Sequence, residues 1–212
     1  MAHARNVFRP THEQSIFMSG AMKIFRFLPI IGALLFLDVA LAAPLPNEDI
    51  EVKVQITGET VVVDLSFVVL ATRQQVWAVL TDFEHMSGFV SNLKESKVVS
   101  SSEFSRKIFQ RGSASYGPID FPFESTREIL LTPLVKIQSH MISGTMKKMD
   151  GTTQLVDEQG GTRIVFHTES VPGRWLPPIA GRHFIEHETR EQFQEIRDEI
   201  LKRNSSLVAS TN

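Results

Sequence analysis

The feature that most constrains the fold is a long stretch without helical periodicity, followed by one long helical segment. From Lys94 to Val171 the residues form extended segments separated by turn-forming residues. The separating turns are Ser100-Ser101-Ser102, Tyr116-Gly117-Pro118, Thr132-Pro133, Asp150-Gly151 and Gly160-Gly161. This spacing predicts about six antiparallel strands in a meander. A helical pattern from about Ile179 to Arg203 follows. We therefore predict an α+β fold in which a curved antiparallel sheet wraps around a long C-terminal helix.

The residues before this stretch predict two strands and two short helices. Two extended runs flank Thr57-Gly58-Glu59, and apolar residues alternate along the second run. Thr72 and Gln75 have the spacing of a capping box, which satisfies the first free N–H groups of a helix. We expect this helix to bury Val76, Trp77, Leu80 and Phe83. A second apolar stripe, weakened by a glycine, predicts one or two further turns and consists of Met86, Phe89, Val90 and Leu93.

The N-terminal residues have the layout of a leader that is removed. Lys23 and Arg26 form a short basic region, an apolar run of roughly 11 residues follows, and Ala40-Leu41-Ala42 suits a signal peptidase. A bilayer span needs roughly 20 apolar residues, so we interpret residues 22–42 as a secretory signal peptide and not as an anchor. Residues 1–21 are interpreted as a non-functional extension, with Met22 or Met18 as the true start. We expect an exported, periplasmic protein.

Composition excludes several kinds of function. The chain has no cysteine, which excludes disulfides and thiol chemistry. It carries 22 Lys and Arg against 24 Asp and Glu, and cleavage of the leader would make the balance more acidic. Such a surface has no general attraction for nucleic acid or anionic lipid. The rest of the chain is interpreted as a linker (43–49), one domain (50–203) and a frayed tail (204–212).

The entry from strand to helix resembles a known family. The segment LSFVVLATRQQVWAVLTDFEHMSGFVSNL (65–93) is similar to the corresponding region of the START-like helix-grip superfamily (SRPBCC). The likeness is to its polyketide cyclase/dehydrase and coenzyme-Q-binding branches, and it covers about residues 60–203. The resemblance implies an apolar cavity between the sheet and the C-terminal helix. It also implies a hydrophobic small-molecule partner, because most members bind or transport such molecules and a minority are enzymes.

One predicted strand, IDFPFESTREILL, is suited to line such a cavity. Strict alternation places one set of its residues on a single face: Ile119, Phe121, Phe123, Ser125, Arg127, Ile129 and Leu131. An inward arginine needs a carboxylate, a cluster of carbonyl groups, or an anionic or carbonyl-bearing ligand. Alternatively, Arg127 lies near the cavity mouth and reaches water.

The C-terminal helix has one face suited to a lid. At about 100° per residue this face holds Pro178, Gly181, Ile185, Thr189, Gln192, Phe193, Ile196 and Ile200. Its polar pair, Thr189 and Gln192, either contacts the polar end of a ligand or tilts towards water. The candidate ligand-binding residues are Phe121, Phe123, Ser125, Arg127, Ile137, Ile185, Thr189, Gln192 and Ile196.

The histidines indicate no metal or catalytic centre. His183 and His187 have the spacing of a helical metal pair, but the helical wheel places both opposite Ile185, on the solvent face. Strand alternation places His140 and His167 outward as well. Neither a catalytic triad nor paired carboxylates can be assembled from the pattern. We expect no metal, no cofactor and no catalytic residue.

The short helices are interpreted as a gate at one end of the cavity, with Trp77 and Phe89 as gate residues. Trp175, just before the last helix, is a third gate residue, either a plug or a lip in transient contact with a membrane. The leading hypothesis is an exported carrier of a hydrophobic molecule such as a lipid, quinone or polyketide-like compound. The alternative is a cyclase/dehydrase-type enzyme in which Arg127 and an inward hydroxyl polarise a carbonyl group. An accessory protein that docks through Trp175 is a third interpretation.

Overall fold

The computed structural model describes residues 49–116, 119–173 and 178–210. The strands are β1 (Glu51–Thr57), β2 (Thr60–Val69), β3 (Leu93–Ser101), β4 (Ser105–Tyr116), β5 (Ile119–Thr132), β6 (Lys136–Gly144), β7 (Lys148–Glu158) and β8 (Gly161–Val171). The helices are α1 (Arg73–Leu80), a short 3-10 helix (Met86–Gly88) and α2 (Pro178–Ser210). The predicted extension, signal peptide and most of the linker lie outside the described residues.

The strands form one antiparallel sheet in the order β1-β2-β8-β7-β6-β5-β4-β3. From β3 to β8 each strand pairs with the next along the chain, which is the predicted six-stranded meander. The pairing of β2 with β8 joins the N-terminal hairpin to the end of this meander. The connection from β2 to β3 carries α1 and the 3-10 helix. The predicted α+β architecture is therefore confirmed.

One predicted turn is wrong. Asp150-Gly151 lies inside β7, where Asp150 pairs with His140 of β6 and Glu169 of β8. The chain turns earlier, after Gly144, which has φ 153° and no room for a Cβ beside the Glu124 carbonyl. A side chain there would collide with backbone, so this glycine, and not Gly151, is the one that the turn requires.

Helix α1 begins with the predicted capping box. The Gln75 N–H donates to the Thr72 hydroxyl at 3.3 Å, and the Thr72 N–H donates to the Gln75 side chain at 2.8 Å. The helix buries Val76, Val79 and Leu80. Trp77 is only half-buried, contrary to expectation, because the buried stripe of this short helix passes beside it.

Helix α2 is longer than predicted and includes most of the segment expected to fray. The hydroxyl groups of Ser205 and Ser206 donate to the Lys202 carbonyl at 2.8 and 2.9 Å. The Asn204 side chain accepts a hydrogen bond from Gln75 and donates one to the Leu70 carbonyl. These contacts fix the last turns beside α1, so the helix continues past Arg203. Within the described part of the chain, neither helix combines the length and apolar composition that a bilayer crossing requires.

A tightly packed apolar cluster fills the space between α2, α1 and the β2–β8 side of the sheet, and we call it the closed core. Its members include Phe67, Val76, Ile164 and Ile200, all 0 % exposed, and Phe193. The Phe193 ring packs against Phe67, with centroids 6.1 Å apart. Most close backbone approaches of α2 to the described strands are to β1. Burial of this cluster holds the helix on that side of the sheet.

Candidate functional site

The inner face of β5 has the predicted alternation. Ser125 and Ile129 are buried, and the other described inward side chains are half-buried: Phe121, Phe123, Arg127 and Leu131. Asp120, Glu124 and Glu128, between them, are exposed. The side chain of Ile119 lies outside the described residues. The strand therefore presents two aromatic rings, a hydroxyl and a guanidinium group to the interior.

Neighbouring strands complete a surface that we call the inner-face site. It is formed by inward residues of β4 to β8: Gln110, Phe123, Ser125, Arg127, Ser139, Gly151, Thr153, Phe166 and Thr168. Gly151 lies between Ser139 and Thr168 in the pairing register. A glycine flanked by two small polar residues gives the site a shallow floor, as expected where another molecule approaches a strand closely.

The inner-face site is less closed than the core beside it. Phe123, Ser139, Thr153 and Phe166 are all half-buried although they face the helix side of the sheet. This half-burial shows that α2 does not cover this part of the inner face completely, although the Phe166 ring packs on Phe193 of α2 with centroids 4.9 Å apart. Solvent therefore reaches part of this site, and we call this partly covered space the gap, whereas the closed core excludes solvent.

The predicted lid face of α2 divides between these two regions. Ile185, Thr189 and Gln192 are half-buried, and Phe184 packs on Phe121 with ring centroids 5.0 Å apart. Ile196 is 5 % exposed and belongs to the buried apolar cluster, as does Ile137 of β6. Ile196 and Ile137 therefore belong to the buried cluster and Ile185 packs against it. Thr189 and Gln192 are half-buried polar residues of the same helix face. The side chain of Pro178 lies outside the described residues.

Arg127 is held inside the protein by neutral groups. Its Nη2 donates to the Gln110 side-chain oxygen and its Nη1 lies 3.5 Å from the Ser139 hydroxyl. Its Nε is buried and has no hydrogen-bond partner among the described residues. No described carboxylate forms an ion pair with it. Burial lowers the pKa of Arg127 to about 10, but the group remains a cation at neutral pH.

Arg127 projects inward, as the alternation predicts, and its side chain is half-buried and not fully enclosed. A cation surrounded by neutral acceptors is poorly compensated for its lost hydration. The remaining N–H groups can donate to a carboxylate, phosphate or carbonyl oxygen. The site therefore offers a strong hydrogen-bond donor at one point of a surface that is formed by aromatic rings and small polar groups.

Two buried polar residues, Gln110 and Ser96, were missed by sequence reasoning. Gln110 is 4 % exposed, and its side-chain N–H groups donate to Ser96 Oγ at 2.9 Å and approach Met86 Sδ at 3.4 Å. Ser96 donates in turn to the Phe83 carbonyl. The alternation of Gln110 with Ile108 was a usable signal, but β4 lacks the regular apolar pattern that would have drawn attention to it.

Residues 82–92, which include the 3-10 helix, form what we call the gate segment. It is fixed to α2 by an ion pair between Asp82 and Arg203 at 2.9 Å and by a hydrogen bond from the Ser91 N–H to Glu195 at 3.0 Å. Phe89 is half-buried, with the Arg203 guanidinium 5.4 Å from its ring centre. The predicted gate residue Trp175 lies outside the described residues.

The histidines of the sheet and of α2 lie on exposed surfaces, as expected. His140 and His167 contact Asp150 at 2.5 Å and Asp64 at 2.7 Å on the outer face of the sheet. On α2, His183 is exposed, and ligand atoms of His187, Glu188 and Glu191 lie within 4.8 Å of one another. His187 and Glu191 are one helical turn apart and form an exposed pair at 3.3 Å. An ordinary surface ion pair accounts for this contact.

Comparison with known proteins identifies the family. Residues 69–196 match the family model described as polyketide cyclase / dehydrase and lipid transport. The chain belongs to this family. The match begins at the end of β2 and ends within α2, so it includes the gate segment and the whole inner-face site. No match was found among curated proteins.

Solved structures, among them proteins described as START superfamily members, share the fold of this chain. The Zhui aromatase/cyclase from Streptomyces sp. R1128 is 14 % identical with a TM-score of 0.58, covering 68 % of this chain and 95 % of its own. A START superfamily protein from Mycobacterium smegmatis is 9 % identical with a TM-score of 0.57, covering 66 % and 97 %. A STAR-related lipid transfer protein from Xanthomonas axonopodis is 11 % identical with a TM-score of 0.51, covering 72 % and 99 %. These similarities confirm the helix-grip fold.

Proposed function

We propose that this protein is an exported carrier that holds a hydrophobic small molecule between the sheet and α2. The observation that carries the proposal is the contrast in burial on one continuous inner face. Phe123, Thr153 and Phe166 are half-buried beside a core whose buried members are at most 8 % exposed. A gap of this kind, lined by aromatic and small polar groups, is typical of a site for a small apolar ligand.

The ligand is an amphiphile with an apolar body and one hydrogen-bond-accepting end. Its body leaves water at the rings of Phe121, Phe123 and Phe166 and at Ile185, which contributes roughly 25 cal/mol per Å² of buried apolar surface. Its polar end accepts hydrogen bonds from Arg127, with Thr189 and Gln192 on the opposite wall. A few polar groups of this kind contribute more to selectivity than to affinity. Lipids, quinones and polyketide-like compounds all fit this description.

The chemistry of the inner face favours carriage over catalysis. Among the nine sheet residues that form the inner-face site, Arg127 is the one ionisable side chain. A general acid or base of the usual kind, His, Asp or Glu, is absent from that surface. The sheet residues therefore orient a ligand without supplying a proton. The half-buried carboxyl group of Glu188, whose pKa is raised by burial, lies on α2 and not on this surface.

A cyclase/dehydrase-type enzyme remains the second candidate because Ser125 lies beside Arg127. Both project inward from β5, and Ser125 is 9 % exposed. A guanidinium and a hydroxyl can polarise one carbonyl oxygen. Incubation with a linear polyketone, followed by mass spectrometry, tests this candidate, since a cyclised or dehydrated product would require Arg127 and would be lost in Arg127→Met.

The location of the protein follows from its N-terminal residues. The basic, apolar and small-residue regions within 22–42 support export to the periplasm with cleavage after Ala42. N-terminal sequencing of protein recovered from cells should begin at Ala43. A mature protein that begins at Met1 or Met22 would contradict export.

Titration with a pair of fluorescent probes tests the carrier proposal. Diphenylhexatriene is an apolar rod that fluoresces when it leaves water, and its propionic acid derivative adds a carboxylate. We expect saturable uptake of both, one molecule per chain, with tighter binding of the acid because of Arg127. Native mass spectrometry of protein purified from the periplasm should also show a retained lipid-sized molecule. Unsaturable, weak partitioning of both probes and a ligand-free mass would contradict the proposal.

A further inference from the structure

The hydrogen bonds around Arg127 extend beyond the ligand site and reach the gate segment. The chain of donors runs from Arg127 to the Gln110 oxygen, from the Gln110 amide N–H to Ser96, and from Ser96 to the Phe83 carbonyl. Gln110 also approaches Met86 Sδ at 3.4 Å. Phe83 and Met86 both belong to the gate segment. One buried side chain, Gln110, therefore contacts Arg127 on one side and Met86 of the gate segment on the other.

The partners of Gln110 allow only one orientation of its amide. The Ser96 hydroxyl donates to Phe83, so it offers only lone pairs to Gln110. Arg127 offers only N–H groups on the other side. The amide must therefore point its nitrogen at the gate segment and its oxygen at the guanidinium. Because Gln110 and Ser96 are 4 % and 7 % exposed, water cannot readily replace a lost partner in this chain.

We propose that Gln110 is a positioning residue that couples the grip of Arg127 on the polar end of the ligand to closure of the gate segment. The inference rests on the proposed carrier function. When the gate segment is closed, Phe83 and Met86 hold the amide, and the amide holds the guanidinium towards the gap. When the gate segment moves away, Gln110 and Ser96 lose acceptors and the guanidinium loses its fixed position. Coupling between two sites is reciprocal, so a ligand that binds Arg127 stabilises the closed gate.

The consequence is selectivity in retention as well as in binding. An acceptor-bearing amphiphile closes the gate behind it, whereas a hydrocarbon of the same shape enters the gap and leaves the gate unaffected. Two contacts of the gate segment with α2, Asp82–Arg203 and Ser91–Glu195, do not involve the ligand site. They hold the segment in either case, so the chain through Gln110 supplies the ligand-dependent part.

Hydrogen exchange of the amides in residues 83–93, followed by mass spectrometry of the full chain, tests the coupling. Ser96→Ala removes the hydrogen bond to the Phe83 carbonyl while Arg127 itself is retained. We expect the amides of residues 83–93 to exchange roughly three- to tenfold faster in this variant. Arg127→Met should accelerate the same amides from the other end of the chain. Ser100→Ala, an exposed serine on the same strand, is the matched control and should leave them unchanged.

The diphenylhexatriene probes complete the test. The propionic acid probe should slow exchange in residues 83–93 of the wild-type protein more than the hydrocarbon does, and this difference should disappear in Ser96→Ala. Equal exchange in Ser96→Ala and Ser100→Ala would overturn the proposal, as would equal protection by the two probes. If neither probe binds the wild-type protein, the proposed carrier function is wrong. The exchange rates of the ligand-free variants still decide whether Arg127 and the gate segment are linked.

Discussion

The closed core and the inner-face site share one sheet and one helix but differ in how they are filled. In β2 all five inward residues are apolar, and none is more than 4 % exposed: Val61, Val63, Leu65, Phe67 and Val69. In β5 the same alternation continues, but two of the inward positions are polar, Ser125 and Arg127. The aromatic residues before them, Phe121 and Phe123, remain half-buried. The period-2 pattern thus determines which side chains face inward, and their chemistry determines whether the space closes.

The difference has a physical cause. Apolar side chains on facing elements pack to the density of a crystal because each contact adds dispersion energy and removes water. A buried guanidinium with neutral partners and a shallow floor at Gly151 oppose such packing. The helix is therefore held by the closed core on one side and spans the site on the other. One region stabilises the fold and the other is available for a ligand.

Removing an aromatic ring from each region should show the largest difference between them, in the free energy of unfolding that each variant loses. We expect Phe67→Ala to lower the free energy of unfolding by about 3–5 kcal/mol, because Phe67 is 0 % exposed and its neighbours cannot fill the space. Phe123→Ala, the matched change in the inner-face site, should cost no more than about half of that. Urea denaturation measures both values. Equal losses would mean that the inner-face site is a packed core.

Filling the gap should separate binding from stability. Thr189→Trp places a large side chain on the half-buried middle of the lid face, so we expect uptake of diphenylhexatriene to fall by at least about tenfold, or roughly 1.4 kcal/mol. The melting temperature should change little because the gap accommodates the ring. Glu191→Trp, at an exposed position of the same helix, is the control and should retain uptake. Full uptake in Thr189→Trp would place the probe elsewhere.

Removing the charge should change selectivity and leave the fold intact. Arg127→Met removes a poorly compensated cation but leaves the buried Gln110 oxygen without its donor. These effects oppose each other, so the free energy of unfolding should change by no more than about 1 kcal/mol. The variant should bind both diphenylhexatriene probes with similar affinity. Arg163→Met, on the outer face and paired with Glu158, should keep the wild-type preference. A retained preference in Arg127→Met would assign the polar end of the ligand to another residue.

The smallest effect is expected at the exposed histidines of α2. Replacing His183 and His187 by alanine should change the free energy of unfolding by less than about 0.5 kcal/mol and leave probe uptake unchanged. Metal analysis of the purified protein checks the same point. Stoichiometric zinc in the wild-type protein that is lost in the double variant would identify a metal site at His187, Glu188 and Glu191.

The sequence predicts most of the architecture and about half of the site. Alternation in β2 and β5, the capping box at Thr72 and the long helical period of α2 depend on local pattern, and the structure reproduces them. The family resemblance carried by residues 65–93 is confirmed as well. The inward position of Arg127 also follows from alternation. Side chains along β5 point to opposite faces of the sheet in turn, so the inward apolar residues determine the face of every other residue in the strand.

The remaining features depend on contacts between distant residues. Gln110 becomes part of the site because strand pairing brings it against Ser96, and α2 extends past Arg203 because Asn204 meets Leu70 and Gln75. Gly144 and Gly151 look alike in sequence, yet only the first has a backbone conformation that requires glycine. Local spacing carries no signal of these tertiary contacts.

Photolabelling tests the central claim, that the ligand lies in the gap over the inner-face site, most directly. A fatty acid with a diazirine in its chain would be bound to the wild-type protein, activated by light, and located by peptide mapping. We predict labels in residues 121–127 of β5 and 181–196 of α2, competed by unlabelled acid and weakened in Thr189→Trp. Labels confined to the outer face of the sheet, around His140 and His167, or labels that no competitor removes, would contradict the account.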